Sequence, residues 1–311
     1  MTALRLGTRK SLMATTQSRR VGDELTRLTG HAVELVGVTT EGDISRAHLA
    51  QMGGTGVFVS ALRDKLISGE VDFAVHSLKD LPTAPAEGIT LAAVYRRDDP
   101  RDALCGPLKL ADLPRGARVG TGSPRRVAQL RALRGDLEIV PIRGNADTRL
   151  RKVADGELDA VVLAYAGLGR IGRRDAVVEV FDPADMLPAP GQGALALECR
   201  SDRLDLIELL ATVDHAPTRA AVTAERTVLA VLEAGCSAPV GAYATVEDSA
   251  EEEQPSLHLS ACVAGIDGAR QVRLSGSGHP ERAEEIGREL AAQLLAQGAD
   301  QLMGERHIEP R

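Results

Sequence analysis

The chain has no tryptophan and only three phenylalanines and three tyrosines in 311 residues. So few aromatic faces leave little surface on which bases can stack, which argues against nucleic acid as a partner. The four cysteines, Cys105, Cys199, Cys236 and Cys262, lie far apart and form no CxxC pair. That spacing excludes a disulfide framework and a zinc site, and no other metal site is expected. Free thiols in a reducing cytoplasm fit best. No apolar run approaches the ~18 residues of a spanning helix, so no membrane partner is expected. The stretch from Met1 to Met13 lacks the apolar core of an export signal. Lysine is also scarce: five lysines stand against 32 arginines, within a net charge of −7.

What is present is an ordinary globular balance, 43% apolar and 26% charged. A chain of this length exceeds what one core serves, so two or three domains are expected. The coarse pattern alternates strand and helix. Strands are expected at 4–7, 33–39 and 71–75, and helices at 12–28 and 59–68. Such alternation implies an α/β domain with a mainly parallel sheet.

An internal echo extends this reading. LGTRKS at 6–11 recurs approximately as VGTGSPRR at 119–126, each time between a strand and a helix. GEVDFAV at 69–75 recurs as GELDAVV at 156–162, in the same order. The first copy carries extra chain around residues 40–60. Two similar α/β domains facing each other across a ligand cleft follow. Beyond Ala189 a strand is expected to return to the first domain. A third unit then follows, with helices at 218–232 and 282–297 and strands at 240–246, 257–265 and 271–277.

Four constellations carry chemistry. His76-Ser77-Leu78-Lys79-Asp80 follows a strand, where ligand groups project, and its Lys–Asp pair can bind an anion and stabilise a cation. His76 alone reads as a packed or capping residue, and the local alternative for the whole stretch is a surface ion pair. Gly120-Thr121-Gly122-Ser123-Pro124-Arg125-Arg126 opens a helix, with Ser123 as cap and Pro124 at the first helical position. Two arginines in that first turn oppose the helix dipole, which favours an anion site over stability alone. Arg143-Gly144-Asn145 with Arg149 forms another strand-to-helix turn, whereas Arg151 and Lys152 read as solvated. Arg5 and Arg9 can join these arginines, whose forks suit carboxylates. Finally, Gly235-Cys236-Ser237 places a thiol on a turn after a helix, making Cys236 the best nucleophile or attachment candidate, while Cys199 and Cys262 read as buried.

Taken in order, RLGTRKSLMATTQ, GGTGVFVSALR, DFAVHSLKDLPT, GTGSPRRVAQL, IRGNADTRLRK, AYAGLGRIG, LPAPGQGALALE and LEAGCSAPVGAYA resemble the porphobilinogen deaminase (hydroxymethylbilane synthase) family. They run from Arg5 to Ala244, with weaker similarity in the last third. The resemblance implies two type II periplasmic-binding-protein-like α/β domains around a cleft plus a smaller C-terminal α+β domain. The boundaries expected are 1–95 with 190–213, 96–189, and 216–311. It implies a dipyrromethane cofactor joined by a thioether to Cys236. Onto this primer four porphobilinogen units are condensed with loss of ammonia, giving the linear tetrapyrrole hydroxymethylbilane in haem biosynthesis. Asp80 is implied as the catalytic carboxylate. Lys79, Ser123, Arg125, Arg126 and Arg143 are implied as cofactor-binding, and Arg5, Arg9, Ser11, Arg149 and Arg170 as substrate-binding. A cytoplasmic monomer handing its product to uroporphyrinogen-III synthase completes the expectation. Some family members carry lysine where this chain has Thr55 and Ser60, which leaves the glycine-rich segment 53–56 without its role as a basic lid. The rival readings are a non-catalytic two-domain anion-binding or sensing protein, and a phosphate-transfer enzyme built on the GTGSPRR turn. The first gives Cys236 no role. The second lacks a P-loop lysine and a metal-binding carboxylate pair.

Overall fold

A computed structural model of the chain describes residues 3–38, 56–234, 238–247 and 254–303, without the side chains of 56–58. Cys236 and residues 53–55 lie outside the described residues. The chain divides into two compact units, residues 1–98 with 193–219 and residues 99–192 with 220–311.

In the first unit, β1 (Leu4–Arg9), α1 (Leu12–Thr29), β2 (Val33–Val38), α2 (Gly56–Ile67), β3 (Phe73–Ser77) and β4 (Ile89–Tyr95) follow one another. The Ser11 hydroxyl caps α1 by accepting from the Ala14 N–H at 3.3 Å, and Gly30, at φ 73°, closes it. The sheet order is β2-β1-β3-β10-β4, where β10 (Leu195–Arg200) comes from much later in the chain. β1 pairs in parallel with β2 and β3, and β10 runs antiparallel to β3 and β4. Leu6, Phe73 and Leu197 are fully buried with Val21 and Leu25 of α1. β3 starts two residues later than its apolar run, because Val71 and Asp72 belong to the turn that lays the Asp72 carboxylate on the Arg5 N–H at 2.7 Å.

The second unit opens with β5 (Asp102–Cys105), β6 (Arg118–Thr121), α3 (Pro124–Leu133), β7 (Glu138–Pro141), α4 (Ala146–Ala154), β8 (Ala160–Ala164), α5 (Tyr165–Arg170) and β9 (Val177–Val180). Its sheet order, β7-β6-β8-β5-β9, repeats the first plan: β6 is parallel to β7 and β8, and β5 is antiparallel to β8 and β9. The sequence echo is therefore structural. LGTRKS and VGTGSPRR end β1 and β6, and GEVDFAV and GELDAVV lead into β3 and β8. Each sheet has one antiparallel strand in the fourth place, β10 from much later in the chain in the first and β5 from just before β6 in the second.

The C-terminal part is an antiparallel meander of β11 (Val240–Glu247), β12 (Ser256–Ala264) and β13 (Gln271–Gly278), packed with α6 (Ala216–Val231) and α7 (Ala283–Ala296) around Val228, Leu259, Leu290 and Leu294. The architecture is mixed α/β with two five-stranded sheets and this smaller third sheet. By contacts the meander shares the unit of the second sheet instead of standing alone. Ala128 and Leu187 pack on Cys262 and Ala264, and the Ala242 N–H donates to the Pro188 carbonyl at 3.0 Å. The buried Glu225 carboxylate accepts from the Gly191 and Ala244 N–H groups, each at 2.7 Å. Gly268, at φ 75°, lies so close to α3 that a Cβ would fall 2.6 Å from the Ala132 nitrogen, so only glycine fits.

Candidate active site

In open α/β sheets, ligand groups gather at the carboxyl ends of the parallel strands. In the first sheet Arg9 ends β1, Ser11 caps the following helix, and Ser77 ends the neighbouring β3. A single 3-10 turn, Leu78–Asp80, follows. Leu78 is fully buried and its N–H donates to the Ala194 carbonyl at 3.0 Å, which pins the turn to the sheet. Lys79 and Asp80 are thereby presented half-buried at the carboxyl end of the sheet's central strand. The Asp80 carboxylate makes no hydrogen bond or ion pair with another described residue. It is an uncommitted negative charge on a fixed support.

Arg5 requires a correction. It lies at the amino end of β1, opposite Glu34 of β2, so four residues of strand, ~13 Å, separate it from Arg9. Its guanidinium is held by Asp72 (Nη2 to Oδ1, 2.9 Å) and the Glu70 carbonyl (2.9 Å). Arg5 closes the base of the first sheet and does not belong with Asp80.

His76 is a packed residue, as its local setting implied. Its Nε2 lies 3.3 Å from the Glu198 Oε2, and Arg63 of α2 grips the same carboxylate at 2.6 and 3.0 Å. Burial pushes the Glu198 carboxyl up, but the hydrogen bonds and charges of His76 and Arg63 outweigh it and hold it at about 2. A depressed carboxylate contributes stability above its ordinary 4.5 and loses that contribution as pH falls towards about 2. Thermal melts of the wild-type chain should therefore fall across this window, and Glu198→Gln should flatten that part of the profile.

In the second sheet, β6 ends at Thr121 and α3 begins at Pro124, with Ser123 as its cap. The Ser123 hydroxyl makes no capping bond, and its N–H donates to the Thr121 Oγ1 at 3.3 Å. A first helical turn has no intrahelical acceptors for its N–H groups, so α3 offers an anion both a hydroxyl and main-chain donors. Gly122 permits the close turn, since a Cβ there would lie 2.6 Å from the Ile142 carbonyl oxygen. Arg143, just past β7, is exposed and makes no ion pair among the described residues. Asn145 caps α4 by accepting from the Thr148 N–H at 2.8 Å, which sets Arg149 in the first helical turns. Arg149 donates from Nε to the Gly144 carbonyl at 2.8 Å and has no carboxylate partner among the described residues. Partial burial, and then repulsion from Arg126, lower its pKa. Arg170, half-buried, ends α5.

Arg125 and Arg126 hold a surprise. Their side chains are only 4% and 7% exposed, and both are turned onto the fully buried carboxylate of Asp102. Arg125 Nη1 reaches Asp102 Oδ2 at 2.7 Å, and Arg126 Nη2 and Nε reach Oδ1 at 2.7 and 3.1 Å. Arg125 Nη1 also donates to the Leu187 carbonyl, and Arg126 Nη1 to the Val162 carbonyl. An internal acid thus holds the pair, a partner that the sequence analysis did not foresee. Burial raises the Asp102 pKa, but the two guanidinium charges prevail and hold it well below the usual carboxylate range. Burial costs Arg125 more than the shared carboxylate returns, and its pKa is lowered. Asp102 escaped the sequence reading, yet a signal existed. An acid opens the otherwise apolar strand DALC, and two arginines at a helix N-terminus need a counter-charge.

Among the described residues no His, Cys, Asp and Glu cluster could hold a metal ion, and no helix is long and apolar enough to cross a membrane. The profile of the porphobilinogen deaminase dipyromethane cofactor binding domain matches residues 4–208, and that of the porphobilinogen deaminase C-terminal domain matches residues 219–296. Porphobilinogen deaminase of Thermobifida fusca is 64% identical over 98% of this chain and 97% of its own. Porphobilinogen deaminase 1 of Streptomyces coelicolor is 58% identical over 98% of each chain, and the Mycobacterium tuberculosis enzyme is 55% identical over 98% of this chain and all of its own. Among solved structures, a periplasmic substrate-binding protein from Coxiella burnetii aligns at TM-score 0.42 and 14% identity, over 68% of this chain and 91% of that one. The chain belongs to the porphobilinogen deaminase (hydroxymethylbilane synthase) family, transferases of porphyrin and haem biosynthesis whose larger part carries a dipyrromethane cofactor.

Proposed function

We propose that this chain condenses four porphobilinogen units head to tail onto a dipyrromethane primer joined by a thioether to Cys236, releasing ammonia at each step and then hydroxymethylbilane. The observation that carries this reading is the surplus of cations at the carboxyl ends of the second sheet. Among the described residues Arg125 and Arg126 share one carboxylate, while Arg143 and Arg149 have none. A ligand with two carboxylates on every ring fits such a surplus, because bidentate arginine contacts suit carboxylate oxygens.

When bound, dipyrromethane supplies the pyrrole carbon to which the first substrate unit is joined. The exposed Arg143 and the half-buried Arg149 and Ser123 hold its acetate and propionate groups, with Lys79 assisting. Arg125 and Arg126 contribute charge from beneath. Arg9, Ser11 and Arg170 orient the incoming porphobilinogen through its own carboxylates. Asp80 acts as ammonia departs from the substrate. Its fixed negative charge stabilises the positive charge developing there, and it holds the pyrrole N–H groups in line for carbon–carbon bond formation. The non-catalytic binding reading is not favoured, since both family profiles and the full-length relatives are deaminases.

The same reading places the chain in the cytoplasm as a monomer that passes its product to uroporphyrinogen-III synthase. The buried, unpaired thiols of Cys105, Cys199 and Cys262 support a reducing compartment. The purified chain supplied with porphobilinogen should release four ammonia per hydroxymethylbilane. Binding of porphobilinogen without ammonia release would contradict the reading.

A further inference from the structure

Two arginines and one acid, all buried, form an unbalanced cluster. Asp102 is 0% exposed and receives four hydrogen bonds from three side chains, the fourth from Gln192 Nε2 at 2.8 Å. Gln192 is itself anchored on the Pro100 carbonyl at 2.7 Å. Both guanidinium planes are fixed at a second point by main-chain carbonyls, Leu187 for Arg125 and Val162 for Arg126. A cluster serving stability alone would match its charges, because an unmatched buried cation is costly and an apolar replacement often costs nothing. Here one positive charge is left over. Among the described residues the buried Arg125 Nε has no hydrogen-bond partner, and after partial burial the Arg126 charge also lowers the Arg149 pKa.

We propose that Asp102 is a positioning residue for the carboxylate site of the second sheet. Its buried carboxylate fixes the Arg125 and Arg126 guanidinium groups and cancels one of their two charges, leaving a surplus of one beside Arg149 for a carboxylate of the ligand. Without Asp102 the two cations repel each other and lose their orientation. With a second acid the surplus disappears and the ligand carboxylate has less to meet. One acid for two arginines gives a site that is pre-oriented and still attractive to an anion. This inference rests on the reading of that region as carboxylate-binding.

The test compares full-length wild type, Asp102→Asn, and Asp102→Asn combined with Arg125→Gln. The single variant keeps the shape and leaves two buried cations. The double variant restores a surplus of one. Asp102→Asn should melt about 10 °C below wild type at low salt, as expected when one partner of a buried ion pair is removed. Added sodium sulfate should recover more of that loss than it raises the wild type, because an anion can take the empty place. The double variant should melt above the single one and lose the extra sulfate response. A purely structural Asp102 predicts the reverse, since a second core lesion adds to the first. The proposal is overturned if the double variant melts at or below the single one, or if Asp102→Asn melts like wild type. Should the single variant fail to fold, recovery of folded protein in the double variant decides. Failure of the carboxylate-site reading is seen separately: Arg149→Leu would leave primer content and KM unchanged whatever the Asp102 variants do.

Discussion

Replacing Asp80 by asparagine is expected to lower kcat by about 10²–10³-fold while leaving fold and primer content near wild type. The amide preserves the shape of the carboxylate and removes its charge. Departure of ammonia from the substrate's aminomethyl group leaves an electron-poor carbon, and a charge fixed beside it acts only as that positive charge develops. Such an interaction lowers kcat more than it raises KM when removed. The fold should tolerate the change, because Asp80 makes no ion pair or hydrogen bond among the described residues. Single-turnover ammonia release gives the rate, and thermal melts with intact mass give the controls. Near-normal turnover would remove Asp80 from the chemistry.

Arg143→Leu and Arg149→Leu should give folded protein with poor primer assembly and a KM for porphobilinogen raised at least ~30-fold. Leaving a desolvated ligand carboxylate unpaired costs about 2–5 kcal/mol, against about 0.5 kcal/mol for an ordinary surface change. Arg143 is exposed and Arg149 half-buried, and neither supports a buried acid, so their loss should spare the fold. Lys109→Leu and Arg151→Leu, at exposed positions outside the proposed site, should remain near wild type. Arg126→Leu belongs to a different class. It removes both hydrogen bonds that Arg126 gives the Asp102 Oδ1 and should cost about 3–5 kcal/mol of stability before any ligand is involved. If all these variants behave alike, whether active or unfolded, the arginine-site account fails.

The contrast between Arg126 and Arg143 also marks what the sequence could reveal. Both stand in strand-to-helix turns, and local pattern placed both at carboxyl ends of parallel strands, where the structure has them. Burial separates them, and burial depends on which distant strand supplies the counter-charge. Asp102 is 24 residues from Arg126 in sequence and no local period links them. Arg5 failed for a simpler reason. A strand is long, so residues four apart in the same short motif stand at opposite ends of it, one at the base of the sheet and one at its carboxyl end. Repeated words in the sequence carried the fold further than any single element did. LGTRKS and VGTGSPRR mark the same turn in two sheets with the same pattern of parallel and antiparallel neighbours. The docking of the C-terminal meander on α3 was not legible, because Ala128, Leu187 and Ala264 are small or aliphatic residues that any core would accept.

The central claim is that a pyrrole primer is built on Cys236 and held by the arginines of the second sheet. Intact-protein mass spectrometry of the purified chain, followed by peptide mapping, tests it most directly. The account predicts a mass greater than that of the sequence by one dipyrromethane, with the whole adduct on the peptide containing Cys236 and none on those containing Cys105, Cys199 or Cys262. A fully active protein of unmodified mass, or an adduct on another cysteine, would contradict it.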